Sequence, residues 1–530
     1  MIALAVLAMI SGIPAEAKSP HIVMAFADDW GCYASAYASH FPDTACEVVS
    51  TPNFDAIAQS GVLFTNAFVS APSCTPCRSS LMSGQPFWRC QKASILSGAV
   101  WDFSLPAYPL MLEQAGYRLG HTYKVWSPGE PGNAPHGGGR TTFMSSGRQF
   151  NRFSQTAMSQ EDREAGKLAL LDEVRGNIRS FLDADGDGQL DGDQPICYFF
   201  GPTNTHRSWI AGSGKILWGI DPDLLEGKLP AFLPDVPTVR QDFADYLGEV
   251  MAFDAALAVI DEELARLGIA NDTLLAVSGD HGIPGIGRGK CNLYDLGTHV
   301  PLAIRWPDGI DHPGRVVEDF VSLPELATTF LDVAMVPAAP TMIAKPLTPL
   351  LTSDLSGQID PSRDCVFTGR ERHVARAREG LRPYPQRAIQ TREHLYIINF
   401  EPDRTPMGDG PSRDADDAEF PTFEELARST KVAYPDLDAS PTKAFVVVHR
   451  DEYPDAFEFA VGMRPRFELY DLRSDPDCLT NLAGNGNHIE TQRQLHARLI
   501  NYLTETGDPR LEPSVMFEHG MFISEPKRGL

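Results

Sequence analysis

Positive charge is scarce in this chain. Its 45 Lys and Arg residues face 70 Asp and Glu, leaving a net charge of −25 and an isoelectric point of about 4.9. That balance excludes a nucleic-acid backbone as partner, because phosphate binding needs a basic surface. An anionic substrate must therefore be drawn in by a local basic cluster or a metal, against the overall field. Long apolar runs are scarce as well. Residues 2–12, IALAVLAMISG, are too short to span a bilayer, so no transmembrane anchor is expected. Ile13-Pro14-Ala15-Glu16-Ala17 comes next with an A-x-A-like cleavage site, and residues 1–17 read as a signal peptide that lacks the usual basic start. Export to a periplasm or beyond is the expected destination. No CxxC…CxxC zinc pattern and no internal repeat is present.

Nine cysteines stand at 32, 46, 74, 77, 90, 197, 291, 365 and 478. In an exported protein they permit disulfides, and proximity makes Cys32–Cys46 the first pair to test. Cys74 and Cys77 form a lone CxxC, for which a redox motif is the competing reading. A hydrophobic content of 43% supports large cores. The length suggests roughly two to four domains.

One stretch organises the rest: Ser73-Cys74-Thr75-Pro76-Cys77-Arg78-Ser79-Ser80-Leu81-Met82-Ser83-Gly84. Pro76 suits the first turn of a helix. Cys74 is then placed just before a helix N-terminus, where backbone N–H groups and the helix dipole favour an anion. Arg78, about one turn further in, can reach the same anion with its planar fork. A polarised cysteine, a helix dipole and an arginine suit attack on a sulfate or phosphate group. Paired acids occur elsewhere. The buried-strand pattern His21–Phe26 runs into Asp28-Asp29, and Thr273–Val277 runs into Asp280-His281. Carboxylates at strand ends sit where open α/β sheets bind ligands. Adjacent acids repel unless a cation holds them, and a hard, oxygen-liking metal is the natural explanation.

At Cys74–Gly84 the chain resembles the type I sulfatases of the alkaline phosphatase superfamily, whose signature is Cys-x-Pro-x-Arg followed by an apolar turn ending in Thr/Ser-Gly. The commonest family sequence has Ser where this chain has Cys77. The lead-in TPNFDAIAQSGVLFTNAF (51–68) is similar to the family's scaffold. GDHGIPGIGRGKCNLYDLGTHVPLAIRWP (279–307) is similar to the branch holding the N-sulfoglucosamine sulfohydrolases and related polysaccharide sulfatases. The resemblance implies that Cys74 is oxidised to formylglycine by a maturation enzyme, the aldehyde hydrate being the nucleophile. It implies one divalent cation, Ca²⁺ with Mg²⁺ as the alternative, on Asp28, Asp29, Cys74, Asp280 and His281. It places Lys124 and Lys290 on the sulfate, with Arg288 as a rival for Lys290 in a loop of uncertain spacing. It makes His206 the proton donor to the leaving group, with Lys290 as rival. Many relatives carry a His where this chain has Trp126, so that partner of the nucleophile is missing or comes from elsewhere.

The implied architecture is a large α/β domain with a mostly parallel sheet between helices, over 18–385, and a smaller C-terminal domain with an antiparallel sheet and a terminal helix, over 386–530. A helix is expected over 161–182, another over 241–267, and a long loop over 127–160. Asp183, Asp185, Asp187, Gln189 and Asp191 follow a calcium-loop spacing that ends in Gln194 in place of the bidentate Glu; a solvated acidic loop is the alternative. Arg370, Arg372 and His373 form a basic cluster expected to line the substrate pocket, with a surface charge run as the alternative. The function expected is hydrolysis of a sulfate ester or N-sulfate of a sulfated glycan. A phosphonate or phosphodiester hydrolase of the same fold, or an unmatured glycan-binding relative, are the rivals.

Overall fold

A computed structural model of the chain describes residues 19–130, 135–512 and 516–518. The expected signal peptide over 1–17 lies outside the described residues. The first strand, β1 (His21–Ala27), is buried along its whole length, as the apolar run HIVMAFA requires of a strand covered on both faces. The others in chain order are β2 (Val62–Phe64), β3 (Ala67–Phe68), β4 (Arg118–Tyr123), β5 (Ile196–Gly201), β6 (Thr273–Gly279), β7 (Leu302–Arg305), β8 (Arg315–Val317), β9 (Val321–Ser322), β10 (Cys365–Arg370), β11 (Gln386–Thr391), β12 (His394–Asn399) and β13 (Phe467–Asp471).

Seven of them form the main sheet, in the order β4-β5-β1-β6-β7-β2-β8. β4, β5, β1 and β6 are adjacent and mutually parallel, while β7 runs antiparallel to both its neighbours. The register pairs His21 with Thr273 and Ala27 with Gly279, so β1 and β6 start and stop level. Side chains alternate across β1. Ile22, Met24 and Phe26 join one hydrophobic core with Leu81, Met82 and Phe330. Val23, Ala25 and Ala27 join the core on the other face, with Phe243, Leu247, Phe253 and Leu257 of the long helix Pro237–Arg266. Gly268, at φ +68°, comes just after that helix.

The expected helix over 161–182 is Arg163–Leu182, capped by Asp162, which accepts from the Ala165 amide. The stretch expected as one long loop, 127–160, contains three short helical segments among its described residues, Gly138–Thr141, Gln149–Arg152 and Phe153–Met158. A four-stranded antiparallel sheet, β10-β11-β12-β13, forms the second layer system. Its first strand starts at Cys365, ahead of the boundary expected at 385. Ile389, Tyr396 and Leu469 of this sheet and Leu495, Leu499 and Leu503 of the helix Ile489–Glu505 share a core with the main sheet, which docks the two parts firmly. All nine cysteines are free thiols, and the Cys46 thiol donates to the Cys32 carbonyl (3.3 Å) rather than bonding to its sulfur. No helix among the described residues is long and apolar enough to cross a membrane.

Gly279 ends β6 where the chain passes close to Trp30: a Cβ there would fall 1.9 Å from the Trp30 carbonyl oxygen. Gly279→Ala is expected to lower stability by about 1–3 kcal/mol, read as a reduced urea midpoint. An unchanged midpoint would show that the β1–β6 edge yields freely.

Candidate active site

The four adjacent parallel strands deliver the residues after them to one edge of the sheet. β1 presents Asp28 and Asp29, β6 presents Asp280 and His281, β4 presents Lys124, and the loop after β5 carries His206. Level register between β1 and β6 sets the two acidic pairs side by side. A helix, Cys74–Ser83, closes the site. Ser73 is its extended N-cap and Gly84, at φ +61°, its left-handed terminator. Cys74 is thus the first residue of the helix, one place further in than its spacing from Pro76 predicts.

Three carboxylates, an imidazole and a thiol converge. The Cys74 sulfur lies 3.3 Å from His281 Nε2 and 3.8 Å from Asp29 Oδ1. His281 Nε2 lies 3.1 Å from Asp29 Oδ1 and 3.4 Å from Asp280 Oδ1. The Asp29 amide donates to Asp280 Oδ1 at 2.8 Å. Asp29 holds φ at +62°, and Tyr123 and Cys291, which flank Lys124 and Lys290, also adopt positive φ, a backbone cost that clusters here. Donor atoms of Asp29, Cys74 and His281 lie within 4.8 Å of one another, as do those of Asp28, Cys74 and Asp280, and of Asp28, Asp29 and His206. These overlapping triads, rich in carboxylate oxygen, fit a hard divalent cation.

Arg78 organises these acids. It is fully buried, donates through Nε to Asp280 Oδ2 (2.8 Å) and through Nη2 to Asp28 Oδ1 (3.1 Å), and through Nη1 to the carbonyls of Lys124 and Val125 (both 3.2 Å). Its guanidinium sits 5.0 Å from the centre of the Phe26 ring. Its donors are spent on the framework, so it aligns Asp28 and Asp280 instead of reaching an incoming anion, the role its spacing from Cys74 suggests. Burial works against the Asp28 charge, yet Lys124 and Arg78 hold that carboxyl well below its usual range.

Two lysines flank the thiol. Lys124 Nζ lies 2.5 Å from Asp28 Oδ1, and Lys290 Nζ lies 3.0 Å from Asp29 Oδ2 and 3.3 Å from Asp438 Oδ2. Burial opposes the Lys290 charge, but Asp29 and Asp438 keep its pKa well above the ordinary lysine value. The two carboxylates hold it as a cation at this edge of the site. The His206 Nδ1 faces the Arg207 carbonyl (2.6 Å), and its Nε2 lies 3.8 Å from Asp29 Oδ2. Asn204 anchors this loop by donating to the Glu249 carbonyl (2.7 Å) and carboxylate (3.1 Å) of the long helix.

Of the basic cluster, the structure brings His373 alone to the site: its Nδ1 lies 2.8 Å from Ser73 Oγ, beside Cys74. Burial, with Lys290 nearby, pushes its pKa down to about 3, so the ring is neutral. Arg288, Arg370 and Arg372 do not fit the substrate-binding role expected of them. Arg288 is clamped between the rings of Tyr294 (4.3 Å) and Phe459 (4.4 Å) and donates to the carbonyls of Asp477 and Cys478. Arg370 is buried and pairs with Asp436 (2.6 Å), and Arg372 is buried and donates to the Phe517 carbonyl (3.3 Å). Trp126 turns to the flank of the Cys74–Ser83 helix, donating to Ser79 Oγ (2.8 Å), and His281 and His373 are the imidazoles that accompany residues 73 and 74. Asp438 is a member of the site that no sequence pattern marks. It lies in the loop before the helix Pro441–Val448, with neither a preceding strand nor a motif to signal it.

The acidic loop forms a separate feature. Donor atoms of Asp183, Asp185 and Asp191 lie within 4.8 Å of one another. Asp183 is paired with Arg266 (2.8 Å), Asp187 accepts from the Gln189 amide (2.8 Å) and Asp191 from the Ala184 amide (2.9 Å). The loop thus satisfies much of its own charge.

The sequence model of the sulfatase family matches residues 20–336. Human N-sulphoglucosamine sulphohydrolase is 28% identical over 526 residues, spanning 93% of this chain and 92% of the relative. A protein solved with its substrate D-glucosamine-2-N,6-O-disulfate superposes with a TM-score of 0.59 at 15% identity, covering 93% of this chain and 100% of that one. The phosphonate monoester hydrolase of Agrobacterium radiobacter gives a TM-score of 0.59 at 18% identity, covering 93% and 97%.

Arg78→Ala leaves Asp28 and Asp280 buried without their shared guanidinium. It is expected to cost about 3–5 kcal/mol in a urea titration. Arg78→Lys should recover only part of this, since an ammonium cannot bridge both acids and two carbonyls. Full recovery by Lys would contradict the bridging role.

Proposed function

This chain belongs to the sulfatase family, and from that premise we propose that it removes sulfate from a sulfated carbohydrate, with residue 74 as nucleophile after oxidation of Cys74 to formylglycine. The observation that carries this reading is the meeting of Cys74, three buried carboxylates and two lysines at the start of one helix. The sugar class is supported by the near-full-length likeness to the human sulphohydrolase. A redox role for Cys74 and Cys77 finds no such support. Both thiols are buried, and burial with the acids around them pushes both pKa values well above the ordinary thiol, the reverse of a redox pair.

Formylglycine at residue 74 would supply a hydrated aldehyde as the nucleophile toward sulfur. The cation, Ca²⁺ by its oxygen-rich donor set with Mg²⁺ as alternative, would be held by Asp28, Asp29, residue 74, Asp280 and His281 and would supply positive charge at the sulfuryl group. Lys124 and Lys290 neutralise the sulfuryl oxygens from either side of residue 74, and their pairing with Asp28 and Asp29 fixes them before substrate arrives. His206, the most exposed of these groups, faces the leaving side and passes it a proton. Arg78 holds Asp28 and Asp280 in register throughout. Neutral His373 fixes Ser73 at the helix cap. Export through the 1–17 leader and maturation by a formylglycine-generating enzyme complete the reading.

The protein, coexpressed with a formylglycine-generating enzyme, should yield a 74–78 peptide with the mass of the aldehyde. It should hydrolyse sulfated glucosamine faster than a phosphonate monoester. A retained thiol, with conversion shown on a control sulfatase, would overturn the nucleophile assignment. Preference for the phosphonate would move the protein to the other chemistry of this fold. Chelation with EDTA should abolish turnover and lower the melting temperature, with Ca²⁺ restoring both; an EDTA-insensitive enzyme would contradict the cation assignment.

A further inference from the structure

The groups around Cys74 differ sharply in exposure. Asp29, Asp280, His281 and Arg78 are sealed, whereas the His206 side chain is 36% exposed, Asp438 18% and Lys124 10%. A molecule arriving from solvent therefore meets His206, Asp438 and Lys124 first. Lys124 suits an anion, but Asp438 does not. A carboxylate at the mouth of a sulfate site repels the very group the site must bind.

Asp438 also has spare capacity. Two residues earlier, Asp436 is saturated by Arg370 (2.6 Å), Arg378 (2.8 Å) and the Val374 amide (2.9 Å). Asp438 has one close ionic partner among the described residues, Lys290, whose Nζ lies 3.3 Å from Oδ2, and that buried oxygen makes no well-formed hydrogen bond. An ionised carboxylate offers about four acceptor positions, and Lys290 takes up at most one or two of them. His206 and His373 are further groups whose charge bears on it. An acid left this open beside the leaving-group side of the site calls for a donor supplied from outside.

Resting on the sulfatase reading, we infer that Asp438 is a specificity-determining residue whose carboxylate accepts a hydrogen bond from a hydroxyl or ammonium donor carried on the leaving group beside the sulfate. Recognition then has two ends. The sulfate lies on Lys124 and Lys290, and the sugar's donor lies on Asp438, which turns the local repulsion into selection against anions that lack a donor.

The test is calorimetric and needs no turnover. Glucosamine, glucose and inorganic sulfate are titrated separately into the wild type, Asp438→Asn and Asp438→Ser, each with its melting temperature recorded as a check on folding. Glucosamine should bind the wild type and weaken at least about tenfold in both variants, while sulfate affinity holds or rises. A larger loss for glucosamine than for glucose identifies the ammonium as the donor; equal losses identify a hydroxyl. Sugar binding that is absent from the wild type, or unchanged in the variants, overturns the inference. So does a parallel loss of sugar and sulfate, which would mean that Asp438 serves only to place Lys290. Failure of the sulfatase reading shows separately, as a retained thiol in the 74–78 peptide.

Discussion

The Arg78 guanidinium is the interaction on which the rest of the site depends. It ties together the end of β1 through Asp28, the end of β6 through Asp280 and the turn after β4 through two carbonyls, from a helix that begins with Cys74. Without it, acids packed within hydrogen-bonding distance of each other would be forced apart or protonated. The parallel sheet makes the arrangement possible. Adjacent strands with level register end together, so the residues just past each strand reach the same place.

The electrostatics resolve an apparent conflict. The chain carries a net charge of −25, and its site handles an anion. The local balance is built from Arg78, Lys124 and Lys290 set against Asp28, Asp29 and Asp280, all buried except Lys124 at the rim, so long-range repulsion is met by cations held at close quarters. A divalent ion held among the carboxylates would tip that balance further toward an anionic ligand.

Much of this is legible in the sequence, for a physical reason. Asp28-Asp29, Asp280-His281 and Lys124 come directly after strands, and a buried strand announces itself as an apolar run. Cys74 and Arg78 share one helix turn, so their spacing carries the geometry. Arg288, Arg370 and Arg372 are easily misread because a basic residue looks the same whether it faces a substrate or a distant partner. Asp436 and the carbonyls of Asp477 and Phe517 come from far along the chain, and nothing local announces them. Asp438 is hidden for the same reason. The start of the second sheet at Cys365 is hidden because β10 precedes a loop and pairs with β11 only in the fold.

The central claim is that residue 74 and the acidic pairs enclose one divalent cation. Anomalous diffraction from crystals of the matured protein grown with Ca²⁺ tests it most directly. The account predicts a single ion within coordination distance of Asp28, Asp29, Asp280 and His281, with residue 74 at its remaining position. Density for an ion elsewhere, or a Lys290 or Lys124 ammonium occupying that spot in Ca²⁺-saturated crystals, would contradict it.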